Sequence, residues 1–209
     1  MCNLYRMTKN TDEVAKWFDM VASLGGANFG EEVYPGYPGL VAVEGQIKQM
    51  TWGFPLVMKG KNGQPLKPKP VNNARTDKLH TFFWRYSFEE RRCLIPVSAW
   101  AEAQGPKGAK TRTWMSRPDA ELFAVAGVWR ESDEFGLCYS MVMTDSAGSA
   151  SADIHSRMPV LLRREDYEDW VSGSPNEAKA LCRPWSGDLK IDHTDQSWVR
   201  GKPTQTSLL

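Results

Sequence analysis

The chain has 209 residues and a mass of 23.6 kDa, with 41% hydrophobic and 24% charged residues and 26 Lys+Arg against 25 Asp+Glu. This composition excludes disorder as the dominant state and fits one compact domain or two small ones. No apolar run approaches the roughly 20 residues of a membrane span, and the first residues lack a secretory signal, so a soluble cytoplasmic protein that meets no membrane is expected.

A first helix is signalled at Thr11 to Leu24: Asn10 can cap with Glu13 three residues on, Val14, Trp17, Phe18 and Val21 fall at helical spacing, and Gly25-Gly26 stops it. Gly- and Pro-rich turns follow through Tyr34-Pro35-Gly36-Tyr37-Pro38, and then Leu40 to Val43 and Ile47 to Trp52 read as a hairpin turning near Glu44-Gly45. A Lys/Pro/Gly/Asn loop spans Lys59 to Pro70. The spacing of Leu79, Phe82, Phe83 and Tyr86 predicts a second, core-facing helix from Thr76 to about Phe88.

From Arg92 onward the pattern turns to strands: Cys93 to Val97, Thr111 to Met115, Leu122 to Trp129 and Leu137 to Thr144 are rich in β-branched and aromatic residues. After His155 to Leu162 come helices at Arg163 to Val171 and, started by a proline, Pro175 to Cys182. The domain reading is one unit over residues 1–200 and a flexible tail over 201–209. The expected fold class is α+β, a single domain with a mostly antiparallel, barrel-like sheet flanked by helices.

The net charge of +1 does not announce a nucleic-acid binder, yet Lys59 to Arg75 and Gln104 to Pro118 are basic stretches without an acid. They are either two solvated loops or, if they meet in space, an anion-attracting face. The four cysteines, Cys2, Cys93, Cys138 and Cys182, show no CxxC pairing, so neither a zinc site nor a disulfide framework is indicated.

Cys2 stands apart because removing the initiator Met would leave an α-amine and a thiol on one residue. An α-amine with a pKa of about 7.7 to 8.0 is substantially neutral at physiological pH and attacks aldehydes to give imines. The thiol can then close on the imine carbon as a five-membered thiazolidine. The same position suits an N-terminal-nucleophile hydrolase, and a Cys at position 2 by chance is the bland alternative. Asn73 and Arg75 in VNNART, Glu102 in SAWAEA and His155 in DIHSRMPV are further candidates. Each has a structural alternative: a helix cap at Asn72-Asn73, a pairing of Arg75 with Asp77, a solvated Glu102, a structural His155.

Taken together and in order, these residues resemble the SRAP family, the SOS-response-associated peptidase fold whose members process abasic sites in DNA. The matching blocks are Met1-Cys2, Trp52-Gly53-Phe54-Pro55, Asn73-Ala74-Arg75, Arg91 to Pro96 with Glu102, Ala126-Gly127-Val128-Trp129 and His155 to Val160. The resemblance implies an abasic-site sensor that binds single-stranded DNA, loses Met1 and forms a covalent crosslink through Cys2. Its catalytic residues would be Cys2, Asn73, Glu102 and His155; Arg75 and Arg157 would bind phosphates, and Trp52 and Pro35 would pack against bases. It implies no metal and no cofactor, a nucleoid-associated cytoplasmic location and a monomer. Alternatives are an N-terminal-nucleophile cysteine peptidase or amidohydrolase and a noncovalent single-strand-binding module. The chain departs from the family pattern at Asn3 and Leu4, where Gly and Arg are usual, at Asp77 in a Glu position, and at Ala101 and Ala103 beside Glu102.

Overall fold

The computed structural model of the protein describes residues 2–22 and 30–199. Met1, the expected helix end at Leu24 with its Gly25-Gly26 stop, and the tail from Gly201 lie outside the described residues. In chain order come β1 (Tyr5–Arg6), α1 (Thr11–Phe18), β2 (Val21–Ala22), β3 (Glu32–Val33), β4 (Pro38–Val43) and β5 (Gln46–Trp52). Three short strands follow, β6 (Phe54–Leu56), β7 (Lys69–Val71) and β8 (Asn73–Arg75), then α2 (Arg85–Glu90). The central part holds β9 (Arg92–Val97), β10 (Ala99–Gln104), β11 (Thr111–Ser116), β12 (Phe123–Ser132) and β13 (Gly136–Asp145). The last described elements are β14 (Arg157–Pro159), β15 (Leu161–Leu162), α3 (Tyr167–Val171), α4 (Pro175–Ala180) and β16 (Lys190–Ser197).

Strands β13, β12, β9, β4 and β5 are hydrogen-bonded in that order, and a parallel pairing of β5 with β13 closes them into a barrel. Closure removes the unpaired edges that an open sheet would expose. The central strand β9 is covered on both faces and every one of its residues is buried, whereas β5 alternates, burying Ile47, Met50 and Trp52 between polar residues. The β4–β5 turn at Glu44-Gly45 has φ of 52° and 72°, the left-handed pair of a type I′ hairpin, which matches strand twist. A second sheet, in the order β16, β11, β10, β1, β3, packs beside the barrel. The chain crosses from barrel to second sheet at Ser98, between β9 and β10. The expected α+β class with a mostly antiparallel, barrel-like sheet is therefore found.

Two helix expectations are corrected. The first helix ends at Phe18 because Asp19 takes a left-handed cap (φ 56°) and the Val21 amide bonds to the Gly45 carbonyl at 3.2 Å. Val21, in phase with the helix, instead begins β2 and is 70% exposed. Likewise Thr76 to Phe88 is not one helix: a 3₁₀ turn at Thr76–Lys78 is followed by irregular backbone, and α2 starts only at Arg85. There the Thr81 hydroxyl donates to the Lys78 carbonyl at 2.7 Å, capturing a group the helical ladder would use. Leu79 is buried as expected, but Phe82 is 97% exposed and Tyr86 58%.

Candidate functional site

Cys2 enters the molecule along the edge of β10. Tyr5 pairs with Trp100, and the Ala101 amide donates to the Leu4 carbonyl at 2.9 Å, which draws the start of the chain past Glu102. Cys2 is fully buried. Its main chain is gripped from the barrel side, where β8 lies parallel to β13 with Asn73 level with Met141. The Asn73 and Asn72 side-chain amides both donate to the Cys2 carbonyl, at 2.8 and 2.9 Å. Asn72 Nδ2 also reaches Asn3 Oδ1 at 3.1 Å, so Asn3 joins the same network.

Asn73 Oδ1 is buried and has no hydrogen-bond partner among the described residues. A buried acceptor left over at such a place suits a ligand hydroxyl. The helix-cap alternative for Asn72-Asn73 fails, since the Thr76–Lys78 turn has no side-chain cap and both amides are spent on Cys2.

Glu102 sits on β10 opposite Thr113 and is 3% exposed. Burial raises its pKa above the ordinary 4.5, while the neighbouring His155 pulls it back down. Burial also pushes the Cys2 thiol far up, and the negative charge of Glu102 adds to that push. The structure thus brings Cys2, Asn73, Glu102 and His155 into one site: Asn73 by a direct bond, Glu102 and His155 by electrostatic coupling. His155 is half-buried, and its Nδ1 lies against the Arg157 main chain, 3.0 Å from the amide nitrogen and 3.2 Å from the carbonyl oxygen, which fixes the ring. The Ser146 hydroxyl donates to the His155 carbonyl at 2.6 Å and secures the loop beneath it.

The residues expected at DNA divide. Pro35 is half-buried and lines a groove of about 550 Å³ with Asn3, Leu4, Tyr34, Asn72 and Trp198, directly beside the network that holds Cys2. A hollow of about 600 Å³ near Trp17 and Leu122 contains none of the site residues. Trp52 is a correction: it is fully buried and offers no face to a base. Its indole instead donates to the Asn72 carbonyl at 3.1 Å and supports the network from below. Arg75 is bound to Asp77 through its Nε and Nη2, the pairing anticipated as an alternative, and Arg157 approaches the same carboxylate. In the second basic stretch Arg112 is paired with Glu32 and Arg117 with Asp119.

Two contributors escaped the sequence reading. Asn72 reads in sequence only as a helix cap, and its shared grip on Cys2 depends on the long-range approach of the chain start, which carries no local signal. Trp198 lines the groove because its amide is pinned to the Lys110 carbonyl at 2.8 Å, beyond the end of β16.

The model of a protein family described as SOS response associated peptidase (SRAP) matches residues 1–197. An abasic site processing protein of Saccharomyces cerevisiae is 26% identical over 168 residues, covering 77% of this chain and 45% of that protein. The abasic site processing protein YoqW of Bacillus subtilis is 26% identical over 152 residues, covering 68% of this chain and 66% of that protein. The chain therefore spans less than two thirds of either relative. Among solved structures, a Bordetella bronchiseptica protein superposes with a TM-score of 0.77 at 23% identity, over 92% of this chain and 99% of that one. A Bacteroides thetaiotaomicron protein does so with a TM-score of 0.75 at 17% identity, over 92% and 91%. At these identities the likeness is one of fold.

Proposed function

The chain belongs to the SOS response associated peptidase (SRAP) family, and on that premise we propose that it captures abasic sites in single-stranded DNA as a covalent thiazolidine on Cys2. The observation that carries this reading is the double amide grip on the Cys2 carbonyl beside a buried carboxyl group. The grip fixes the main chain of Cys2, and hence the α-amine that removal of Met1 would release, rather than the sulfur alone.

The steps follow from that arrangement. The α-amine attacks C1′ of the open-chain sugar aldehyde, forming a C–N bond and a carbinolamine. Loss of the C1′ hydroxyl as water gives the imine, and Glu102, whose pKa burial raises above the ordinary carboxylate value, is suited to give that hydroxyl its proton. The thiol then adds to the imine carbon, forming the C–S bond, and its proton ends on the ring nitrogen. In this reading Asn73 Oδ1, buried and without a partner among the described residues, accepts a hydrogen bond from a sugar hydroxyl, and His155 moves a proton between Glu102 and solvent. The reaction releases one water and consumes no cofactor.

The peptidase alternative needs a thiolate, which cationic neighbours would favour. Burial and the adjacent carboxylate do the opposite to Cys2, whereas in the thiazolidine route the amine acts first. The test is intact-mass spectrometry of the protein before and after incubation with a single strand bearing one abasic site. Loss of the Met1 mass and a one-to-one DNA adduct are expected, with no adduct for Cys2→Ala. Turnover of an amide without an adduct would select the peptidase, and affinity without covalent product the binding module.

A further inference from the structure

The phosphate contacts expected of Arg75 and Arg157 face a resident competitor. Arg75 Nε donates to Asp77 Oδ1 at 2.9 Å and its Nη2 to Asp77 Oδ2 at 2.6 Å, the two-pronged arrangement a guanidinium makes with carboxylate and phosphate alike. Arg157 Nη1 stands 3.7 Å from the same Asp77 Oδ1. The two arginines come from strands on either side of β13, Arg75 level with Met143 and Arg157 opposite Asp145. One carboxylate is therefore hydrogen-bonded by Arg75 and ion-paired with Arg157, and its two oxygens engage Arg75 in the two-pronged geometry that a phosphate also accepts.

The triad is open to solvent: side-chain exposure is 38% for Arg75, 49% for Asp77 and 24% for Arg157. Ion pairs this exposed contribute little to folding, so the carboxylate can leave without unsettling the strands. Charge sharpens the competition, because Arg75 holds the Asp77 carboxyl below its usual range and keeps it ionised.

We propose that Arg75 and Arg157 form one phosphate seat, that Asp77 occupies it in the free protein, and that a backbone phosphate of the bound strand displaces the carboxylate. Asp77 then sets the affinity and salt dependence of DNA binding. The inference rests on the DNA reading above but not on its covalent chemistry. The test is fluorescence anisotropy with a labelled, undamaged oligo-dT strand, from low to physiological salt, using wild type, Asp77→Asn and, as a second uncharged variant, Asp77→Ser.

Both variants bind about two- to fivefold more tightly at low salt, the scale of one exposed ion pair. They also show a steeper salt dependence, by up to about 0.7 in logarithmic slope per phosphate gained. Unchanged or weaker binding overturns the proposal and leaves Asp77 as a brace that positions the arginines; so does an absence of binding by all three proteins. The covalent reading fails separately: a chain that gives no adduct with abasic DNA yet binds oligo-dT more tightly as Asp77→Asn loses the crosslink and keeps the seat.

Discussion

At the scale of single residues, the site is a carbonyl held by two amides beside one buried acid. Asn73→Ala removes the 2.8 Å bond to Cys2 but leaves that of Asn72. The expected cost is about 1.4 kcal/mol, or roughly tenfold in the single-turnover rate of adduct formation. Because both amides share one acceptor, the Asn72→Ala/Asn73→Ala double variant departs from additivity. Glu102 makes a prediction about stability instead. Its folded pKa is raised above 4.5, so the folded state holds a proton that the unfolded chain releases. The stabilisation from that proton is full below 4.5 and is lost as pH rises through the folded pKa. Glu102→Gln, isosteric and uncharged, should therefore match wild type in melting temperature at acid pH and surpass it at neutral pH, while adduct formation collapses. A constant gap at every pH would refute the assignment. In the sequence Cys2 stands out because removal of Met1 would leave an α-amine beside its thiol, whereas Asn73, Glu102 and His155 are weak signals singly and are joined only by the family resemblance. The base-packing role of Trp52 is implied by the resemblance alone, which says nothing of which face meets solvent, and here the indole is buried and points to the Asn72 carbonyl.

At the scale of elements, local signals held where they were chemical and failed where they were periodic. Asn10 and Glu13 form the reciprocal capping box read from their spacing: Asn10 Oδ1 accepts from the Glu13 amide and Glu13 Oε2 from the Asn10 amide, both at 2.9 Å. Asn10→Ala should cost about 1 kcal/mol and lower the melting temperature by about 2 to 4 °C, measured by circular dichroism. Helical periodicity overran the true ends because backbone groups there are taken elsewhere, the Val21 amide by the Gly45 carbonyl and the Lys78 carbonyl by the Thr81 hydroxyl, while the Val21 and Phe82 side chains face solvent. Close approach decides one glycine. A Cβ on Gly39 in β4 would lie 2.1 Å from the Tyr139 hydroxyl and 2.3 Å from that of Tyr5. Those two hydroxyls share a buried 2.5 Å hydrogen bond between barrel and second sheet. Gly39→Ala should part the tyrosines and destabilise the protein by several times the cost of the capping variant, as chemical denaturation would reveal. No sequence pattern announces that glycine, since its partners lie in β1 and β13.

At the scale of the molecule, the site straddles the seam between barrel and second sheet. Asn73 comes from β8, paired to the barrel strand β13, whereas Glu102 belongs to β10 and Cys2 to the segment leading into β1. That juxtaposition was beyond a local reading. The parallel closure of β5 on β13 and the polar edge strand β16 are fixed by pairing at long range rather than by side-chain pattern. A site made of both halves exists only while the halves are docked, and this ties activity to global stability. Arg92, buried at the start of β9, tests the tie at a distance from Cys2. Its guanidinium donates to the carbonyls of Trp170 at 2.5 Å, Phe88 at 2.6 Å, Glu89 at 2.9 Å and Gly173, capping the C-terminal ends of α2 and α3 against the barrel. Arg92→Met fills the space but strands those carbonyls, for an expected loss of about 3 kcal/mol and about 6 to 12 °C in melting temperature. If barrel and second sheet unfold as one body, circular dichroism and the capacity to form the adduct fall together with temperature in wild type and variant alike, both shifted by the same amount. Adduct formation lost well below the melting of the strands would mean that the second sheet undocks first, and that the seam rather than the barrel limits the working range of the site.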